Sequence, residues 1–111
     1  TRNYMVSRAG WIADYNDPNT FLDMFVTNGG NNRGGYANPA YDQLIEAAKK
    51  ERNTQKRFAI FQKAEDILLE DLPVMPIYIY SRNYLLSNDV LGWYPNIEDI
   101  HPLKYISIAT K

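Results

Sequence analysis

Two amphipathic patterns, at residues 39–50 and 54–71, constrain the fold of this chain more than any other feature. The apolar positions of the first pattern are Tyr41, Leu44, Ile45 and Ala48. Those of the second pattern are Ile60, Phe61, Ala64, Ile67 and Leu68. Both sets have the spacing of one helical face, and Asn38-Pro39 and Asn53-Thr54 supply residues typical of helix starts. The sequence therefore predicts two helices whose apolar stripes pack into the core.

A third, shorter helix is predicted at residues 18–25, and strands are predicted on either side of the helical region. Asp17 is the expected cap of this helix and Pro18 its first residue. The predicted strands are residues 3–11, residues 77–80 with an extension over 83–86, and residues 105–108. We expect an α/β domain.

The predicted strand at residues 77–80 alternates isoleucine with tyrosine. Because successive side chains of a strand point to opposite faces, Tyr78 and Tyr80 would share one face. A face of two tyrosines is less apolar than a core face. It suits either a half-exposed sheet edge or a wall against a ligand, and the alternation alone does not separate the two.

The 111 residues fit one small domain, and their composition excludes several classes of function. A net charge of −1 with no run of Lys or Arg argues against a large nucleic-acid footprint. The chain has no cysteine for disulfides or zinc, and its one histidine, His101, cannot build a metal site unless carboxylates supply the other ligands. We therefore expect no metal site and no cofactor.

Neither the glycine-rich loop nor the carboxylates indicate catalysis. The loop at residues 28–35 is not followed by the Gly-Lys-Ser/Thr element of nucleotide sites. Asp14 and Asp17 could do acid and base chemistry as a pair, but Asp17 is better explained as the helix cap. No serine is spaced to act as a nucleophile with His101. We expect a protein that is not an enzyme.

Three residues before the first helix have roles that spacing leaves open. Asp14 is either an Asx-turn residue or surface charge, or a fixed carboxylate that pairs with a ligand cation. Trp11 is either a core anchor or a flat wall against a ligand side chain. Arg8 is either a surface or interlobe charge, or a ligand contact that reaches the side of Trp11 only if the chain bends at Gly10.

Four motifs, in this order, resemble the extracytoplasmic oligopeptide-binding proteins of ABC transporters (solute-binding protein family 5). They are RAGWIADYNDP at residues 8–18 followed by Phe21-Leu22, Asn31-Asn32 followed by YANPAYDQLI at 36–45, TQKR at 54–57, and PVMPIYIY at 73–80. The resemblance extends over nearly the whole chain, whereas members of the family are several hundred residues long. The sequence also opens at Thr1 within a strand-like pattern, so we expect a C-terminal piece of such a protein.

The resemblance implies a periplasmic-binding-protein-like II fold, of which this chain supplies the C-terminal portion only. Residues 1–80 would be the C-terminal part of the second ligand-binding lobe. Residues 81–111 would be the crossing strand and the tail that returns to the first lobe. The other half of the ligand cleft, from the first lobe, would lie outside this chain.

The resemblance also assigns ligand-binding roles to residues of the first motif. Asp14 would pair with the α-ammonium group of a bound peptide, beside Trp11. The backbone of Gly10 and Ile12 would run along the peptide as an added strand, so that main-chain hydrogen bonds accept any peptide sequence. Arg8 would meet the carboxylate of a short peptide.

Two further residues and a function follow from the same resemblance. Tyr80 matches a tyrosine that lines the cleft, and Asn32 is either a ligand contact or a residue that stabilises its own loop. The implied function is capture of oligopeptides outside the cytoplasmic membrane, in the periplasm or at the outer face of the cell membrane. The partners are the peptide, an ABC import permease and the remainder of the same protein. Alternatives are a receptor of the same fold for a metal complex, heme or sugar, or an independent protein-interaction module.

Overall fold

The computed structural model describes residues 4–109, which form three α-helices and one two-stranded ribbon. The helices are α1 (Asn19–Leu22), α2 (Pro39–Lys50) and α3 (Thr54–Asp71), and the strands are β1 (Val90–Leu91) and β2 (Ser107–Ile108). Short 3-10 turns lie at Asp23–Phe25 and Leu103–Tyr105. The two strands are antiparallel, and Val90 lies opposite Ile108.

Helices α2 and α3 begin and end where the sequence predicts. The Asn38 side chain accepts hydrogen bonds from the backbone N–H groups of Ala40 at 3.0 Å and Tyr41 at 3.2 Å. Asn53 accepts one from Lys56 at 3.0 Å. These bonds satisfy donors that the first turn of a helix leaves free. At its other end α3 stops at Leu72, which has a left-handed φ of 48°.

The core lies between α2 and α3 and uses the predicted apolar stripes. Its buried residues are Tyr41, Ile45 and Ala48 from α2 and Phe61, Ala64 and Leu68 from α3. Leu44, Ile60 and Ile67 are only partly buried and pack against this cluster. The turn after α1 also contributes, because Leu22, Phe25 and Val26 pack against the same cluster. The prediction that both stripes are core faces is confirmed.

Helix α1 is shorter than predicted, because the predicted segment 18–25 divides into four α-helical residues and a 3-10 turn. The Asp17 carboxylate accepts a hydrogen bond from the backbone N–H of Asn19 at 2.9 Å, as a capping residue does. The same carboxylate forms an ion pair with Arg57 of α3, whose Nη2 lies 2.8 Å from Asp17 Oδ1. The hydrogen bond from Arg57 lowers the pKa of Asp17.

The strand predictions were wrong for most of their length. Residues 4–13 and 73–86, called the extended segments below, contain no helix or strand and form no backbone–backbone hydrogen bond with any residue in the described part of the chain. Met5, Ile79 and Leu85 are almost completely exposed. A strand needs a neighbour for its backbone groups, and no described residue supplies one. The segment 105–108 forms a strand only at Ser107–Ile108, and Asn3 lies outside the described residues.

Contacts around Asp99 hold the tail together locally. Its carboxylate accepts a hydrogen bond from the Tyr84 hydroxyl, pairs with Arg82 and lies 3.1 Å from His101 Nε2. The ring of His101 stacks on Trp93 with 4.7 Å between ring centroids. The hydrogen bond from Tyr84 lowers the pKa of Asp99. In the part of the chain that the structure describes, no helix combines the length and apolar character needed to cross a membrane.

Candidate functional site

The candidate site lies where the extended segment 4–13 turns into α1, and Thr20 organises it. The Thr20 side chain is buried, with 2% of the residue exposed. Its hydroxyl oxygen accepts a hydrogen bond from the backbone N–H of Asp14 at 3.1 Å and lies 3.5 Å from the indole nitrogen of Trp11. One hydroxyl group of α1 therefore brings together the two residues that sequence patterns and the resemblance single out.

The Asp14 carboxylate projects from a fixed backbone into solvent. Ala13 next to it is buried, and the bond to Thr20 holds the Asp14 amide. Within residues 4–109 the carboxylate makes no hydrogen bond and no ion pair, so the Asx-turn alternative has no bond to support it. A carboxylate that is held by its backbone and free at its oxygens is suited to bind a cation.

Trp11 is half-buried and lies outside the hydrophobic core between α2 and α3. The indole nitrogen of Trp11 contacts the Thr20 hydroxyl, so the polar edge of the side chain has a partner. The rest of the ring is an apolar surface in the same turn as Asp14. Ile12, the next residue, is 53% exposed. The core-anchor alternative for Trp11 has no support within the described residues, and its role as a wall against a ligand stays a prediction.

Gly10 and Arg8 lie in the exposed extended segment before Trp11. A Cβ atom added at Gly10 would meet no atom within 4 Å, and the residue does not have a left-handed φ. Neither conformation nor packing within the described residues therefore requires glycine here, and close approach of another backbone would be one reason for it. Arg8 is exposed, and in the described part of the chain it forms no ion pair.

The structure places Asn32 inside its own loop. The side chain is buried, and its amide nitrogen donates to the carbonyls of Val26 at 3.0 Å and Tyr36 at 2.7 Å. Its amide oxygen accepts a hydrogen bond from the Tyr36 N–H at 3.0 Å. These bonds support the loop-stabilising alternative for Asn32, and a ligand contact by this residue stays a prediction.

Tyr80 lies in the second extended segment, far along the chain from Asp14. It is 70% exposed, and its ring centroid is 6.2 Å from that of Tyr78, as expected for two residues on one strand face. Among the described residues, no hydrogen bond, ion pair or ring contact joins Tyr80 or Arg8 to Asp14. The structure therefore brings Trp11 and Asp14 together, and within residues 4–109 it shows no such contact from Asp14 to Tyr80 or Arg8.

Sequence reasoning missed a set of hydrogen-bonded polar residues in and beside α1. The Asn19 amide nitrogen donates to the Tyr15 hydroxyl at 2.9 Å and to Asp23 Oδ2 at 3.3 Å. Burial raises the pKa of Asp23, an effect that Lys49 opposes and Asp14 reinforces. The i, i+4 spacing of Asn19 and Asp23 was the available signal. Within residues 4–109, no group of three acidic, His or Cys residues could hold a metal ion.

Comparison with solved structures identifies the class of fold. Residues 4–109 form part of a periplasmic-binding-protein-like II fold, because the chain superposes on the Escherichia coli murein tripeptide-binding protein MppA with a TM-score of 0.82 and 35% identity. The superposition covers 91% of this chain and 20% of MppA. The expected fold class is confirmed.

Sequence comparison identifies the relatives within that class. The chain is 36% identical over 105 residues to the dipeptide-binding protein DppE of Bacillus subtilis. The matched region covers 95% of the chain and 18% of DppE. It is 39% identical over 102 residues to the periplasmic murein peptide-binding protein MppA of Escherichia coli. Here the matched region covers 90% of the chain and 19% of MppA. No protein-family model matches the sequence. The chain is thus similar to a part of these two peptide-binding proteins, and it spans about a fifth of their length.

Proposed function

We propose that this chain is part of an extracytoplasmic receptor that captures oligopeptides and delivers them to an ABC import permease. The observation that carries the proposal is the exposed Asp14 carboxylate, fixed beside Trp11 by the buried hydroxyl of Thr20. The relatives support it, because those compared above are named dipeptide- and murein peptide-binding proteins, and MppA is named periplasmic. The proposed role is binding without catalysis.

The mechanism follows from what each group can recognise in a peptide. Asp14 pairs with the α-ammonium group, which every unblocked peptide carries, through a charge-assisted hydrogen bond. The backbone of Gly10 and Ile12 bonds to the peptide backbone as a neighbouring strand would. This segment has free backbone groups for that purpose, because residues 4–13 pair with no described strand. These contacts ignore side chains, so they bind many peptide sequences.

The remaining predicted residues add contacts farther from the ammonium group. Trp11 forms an apolar wall, Arg8 meets the carboxylate of a short peptide, and Tyr80 lines the cleft. Asn32 holds the loop through its bonds to Val26 and Tyr36, and a direct contact with the ligand is the second role proposed for it. Residues 1–80 belong to the second lobe and residues 81–111 to the crossing strand and returning tail, and the first lobe supplies the opposite wall.

The test is the exchange Asp14→Asn in the full-length protein, measured by isothermal titration with one peptide in free and N-acetylated forms. The exchange keeps the shape and one acceptor but removes the charge. We expect affinity for the free peptide to fall by about 1.5–3 kcal/mol, roughly tenfold to a hundredfold. The acetylated peptide has no ammonium group, so its affinity should change far less.

The matched control is Asp66→Asn, the same substitution on the exposed surface of α3. It should leave both affinities unchanged. Equal losses for the free and acetylated peptides in Asp14→Asn would mean that Asp14 shapes the turn rather than the ligand site. No loss for either peptide would make it a surface charge.

A further inference from the structure

The turn at residues 96–101 is held by bonds between its own residues. The Asn96 side chain donates to the Ile100 carbonyl at 2.9 Å and accepts a hydrogen bond from the Ile100 N–H at 3.1 Å. The Asp99 N–H donates to the Asn96 carbonyl at 3.1 Å. Asp99 has a left-handed φ of 54°, which residues other than glycine seldom adopt. Such a conformation persists where the surroundings hold it, and it is found most often at functional sites.

Asp99 joins this turn to the extended segment 73–86. Its carboxylate accepts a hydrogen bond from the Tyr84 hydroxyl and pairs with Arg82. Arg82 is two residues after Tyr80, so the Cα atoms of the two are at most about 7 Å apart. Asp99 therefore holds the chain directly after Tyr80, the residue that we propose to line the ligand cleft.

Aromatic rings support the partners of Asp99. The ring centroid of Trp93 is 4.4 Å from that of Tyr84 and 4.7 Å from that of His101, on which it stacks. The His101 Nε2 atom lies 3.1 Å from the Asp99 carboxylate. Because Tyr84 and His101 both pack on Trp93, the groups that bond to Asp99 are themselves held in place.

The same turn borders the region of Asp14. Ile97 is 47% exposed, and it lines a groove together with Tyr15, the residue after Asp14, and Phe58 of α3. In the part of the chain that the structure describes, no bond joins Asp14 to Tyr80 directly. The turn at 96–101 therefore supplies a connection between the segment that carries Tyr80 and the turn that carries Asp14.

We propose that Asp99 is a positioning residue of the peptide site, which fixes the segment that carries Tyr80 relative to Asp14. It acts through its bonds to Arg82 and Tyr84, whereas Tyr80 touches the peptide. This inference rests on the proposed function, because it deepens the same site. It implies that Asp99 affects contacts along the peptide and leaves the recognition of the ammonium group to Asp14.

The experiment measures, in the full-length protein, the dissociation constants of one peptide in free and N-acetylated forms. In Asp99→Asn we expect both affinities to fall by the same factor, roughly threefold to tenfold. Asparagine tolerates a left-handed φ as aspartate does, so the backbone of the turn is kept. Glu98→Gln is the matched control, because Glu98 is exposed and forms no ion pair among the described residues. It should leave both affinities unchanged.

A second variant and a double-mutant cycle separate positioning from a general loss of stability. Tyr84→Phe removes the hydroxyl that bonds to Asp99 and keeps the ring that contacts Trp93, so both affinities should fall, but less than in Asp99→Asn. If Asp99 acts through Tyr80, Asp99→Asn should cost no further affinity in a Tyr80→Ala background. A substitution that only destabilised the fold would cost the same factor in both backgrounds.

The outcomes separate this inference from the proposed function. If Asp99→Asn and Tyr84→Phe leave both affinities unchanged, the inference is wrong, and the proposed function stands as long as Asp14→Asn weakens the free peptide. The inference is also wrong if Asp99→Asn weakens the free peptide alone, or costs the same factor with and without Tyr80. If Asp14→Asn changes neither affinity, the proposed function itself fails. The two failures are distinguishable because Asp14 alters the ratio of the two affinities, whereas Asp99 alters both alike.

Discussion

The helical pair and the extended segments of this chain are both rich in apolar residues but differ in burial. Tyr41, Ile45 and Ala48 of α2 are completely buried. Met5, Ile79 and Leu85 of the extended segments are 101%, 98% and 104% exposed. A helix satisfies its backbone within itself and needs one partner for its apolar face, which α2 and α3 give each other. A strand needs neighbours for both its backbone and its side chains.

The shape of the chain agrees with this contrast. Its radius of gyration is 18.5 Å, and its extents are 61 × 41 × 22 Å. A compact domain of this length would have a radius of gyration of about 13 Å. The extended segments contribute to the excess, because most of their apolar side chains are exposed and, of these segments, Val74 packs against the core. We infer that they are strands completed by the remainder of a longer protein.

The sharpest test of the contrast compares one residue from each region. Phe61 is 4% exposed in the core, and Arg57 lies over its ring with its Cζ 4.7 Å from the ring centroid. In the 111-residue chain, Phe61→Ala should lower the free energy of unfolding by about 3–5 kcal/mol, measured by urea denaturation. Ile79→Ala should change it by less than about 0.5 kcal/mol.

In the full-length protein, we expect both variants to lower the free energy of unfolding. Ile79→Ala should then cost about 2–4 kcal/mol, because we expect the residue to be buried between strands there. A cost that stays near zero in the full-length protein would mean that residue 79 is a surface position in both settings. It would contradict the assignment of residues 77–80 to an incomplete sheet.

A smaller effect is expected at the ion pair that joins the helical pair to the turn before α1. Arg57 binds Asp17 through two nitrogens and also donates from Nε to the Ala48 carbonyl at 3.0 Å. Arg57→Lys keeps the charge but loses this geometry, so the free energy of unfolding should fall by about 1–2 kcal/mol. Chemical denaturation at neutral pH measures the loss, and Lys63→Arg on the exposed face of α3 is a control.

The pH dependence of this pair has a definite sign. The hydrogen bond from Arg57 lowers the pKa of Asp17 below its usual value of 3.8. The stabilisation is therefore fully present above the pKa of the unfolded chain and is lost as the pH falls through the lower, folded pKa. The stability difference between wild type and Arg57→Lys should shrink below about pH 4. A difference that is constant down to pH 2 would show that Asp17 is not the partner that matters.

Sequence patterns predicted the helices well because the determining interactions are local. The capping side chains of Asn38 and Asn53 bond to residues two or three positions away, so both starts were readable. Asp17 was predicted as the cap directly before Pro18, whereas α1 begins one residue later, at Asn19; the Asp17 carboxylate still accepts a bond from the Asn19 N–H, but its bond to Arg57 joins residues 40 positions apart. No local pattern contains such a partner. The predicted strands at 4–11, 77–80 and 83–86 find no backbone partner among residues 4–109, and a local pattern does not contain the partner that a strand needs.

The candidate site was predictable only in part. The resemblance pointed to Trp11 and Asp14, and the structure joins them through Thr20. It did not point to Thr20, Asn19 or Asp23, since their roles depend on how α1 folds back on the turn. Asn32 shows the opposite case: the motif marks the residue, and the structure shows that its side chain is bonded within the loop. A motif identifies residues, whereas packing decides what each of them contacts.

The most direct test of the account is amide hydrogen exchange of residues 77–86, measured in the 111-residue chain and in the full-length protein. We expect these amides to exchange at nearly unprotected rates in the 111-residue chain and at least about a hundredfold more slowly in the full-length protein. The amides of residues 57–68 in α3 should be slow in both and serve as the internal control. Equal exchange rates for residues 77–86 in the two proteins would contradict the claim that the rest of the protein completes this sheet.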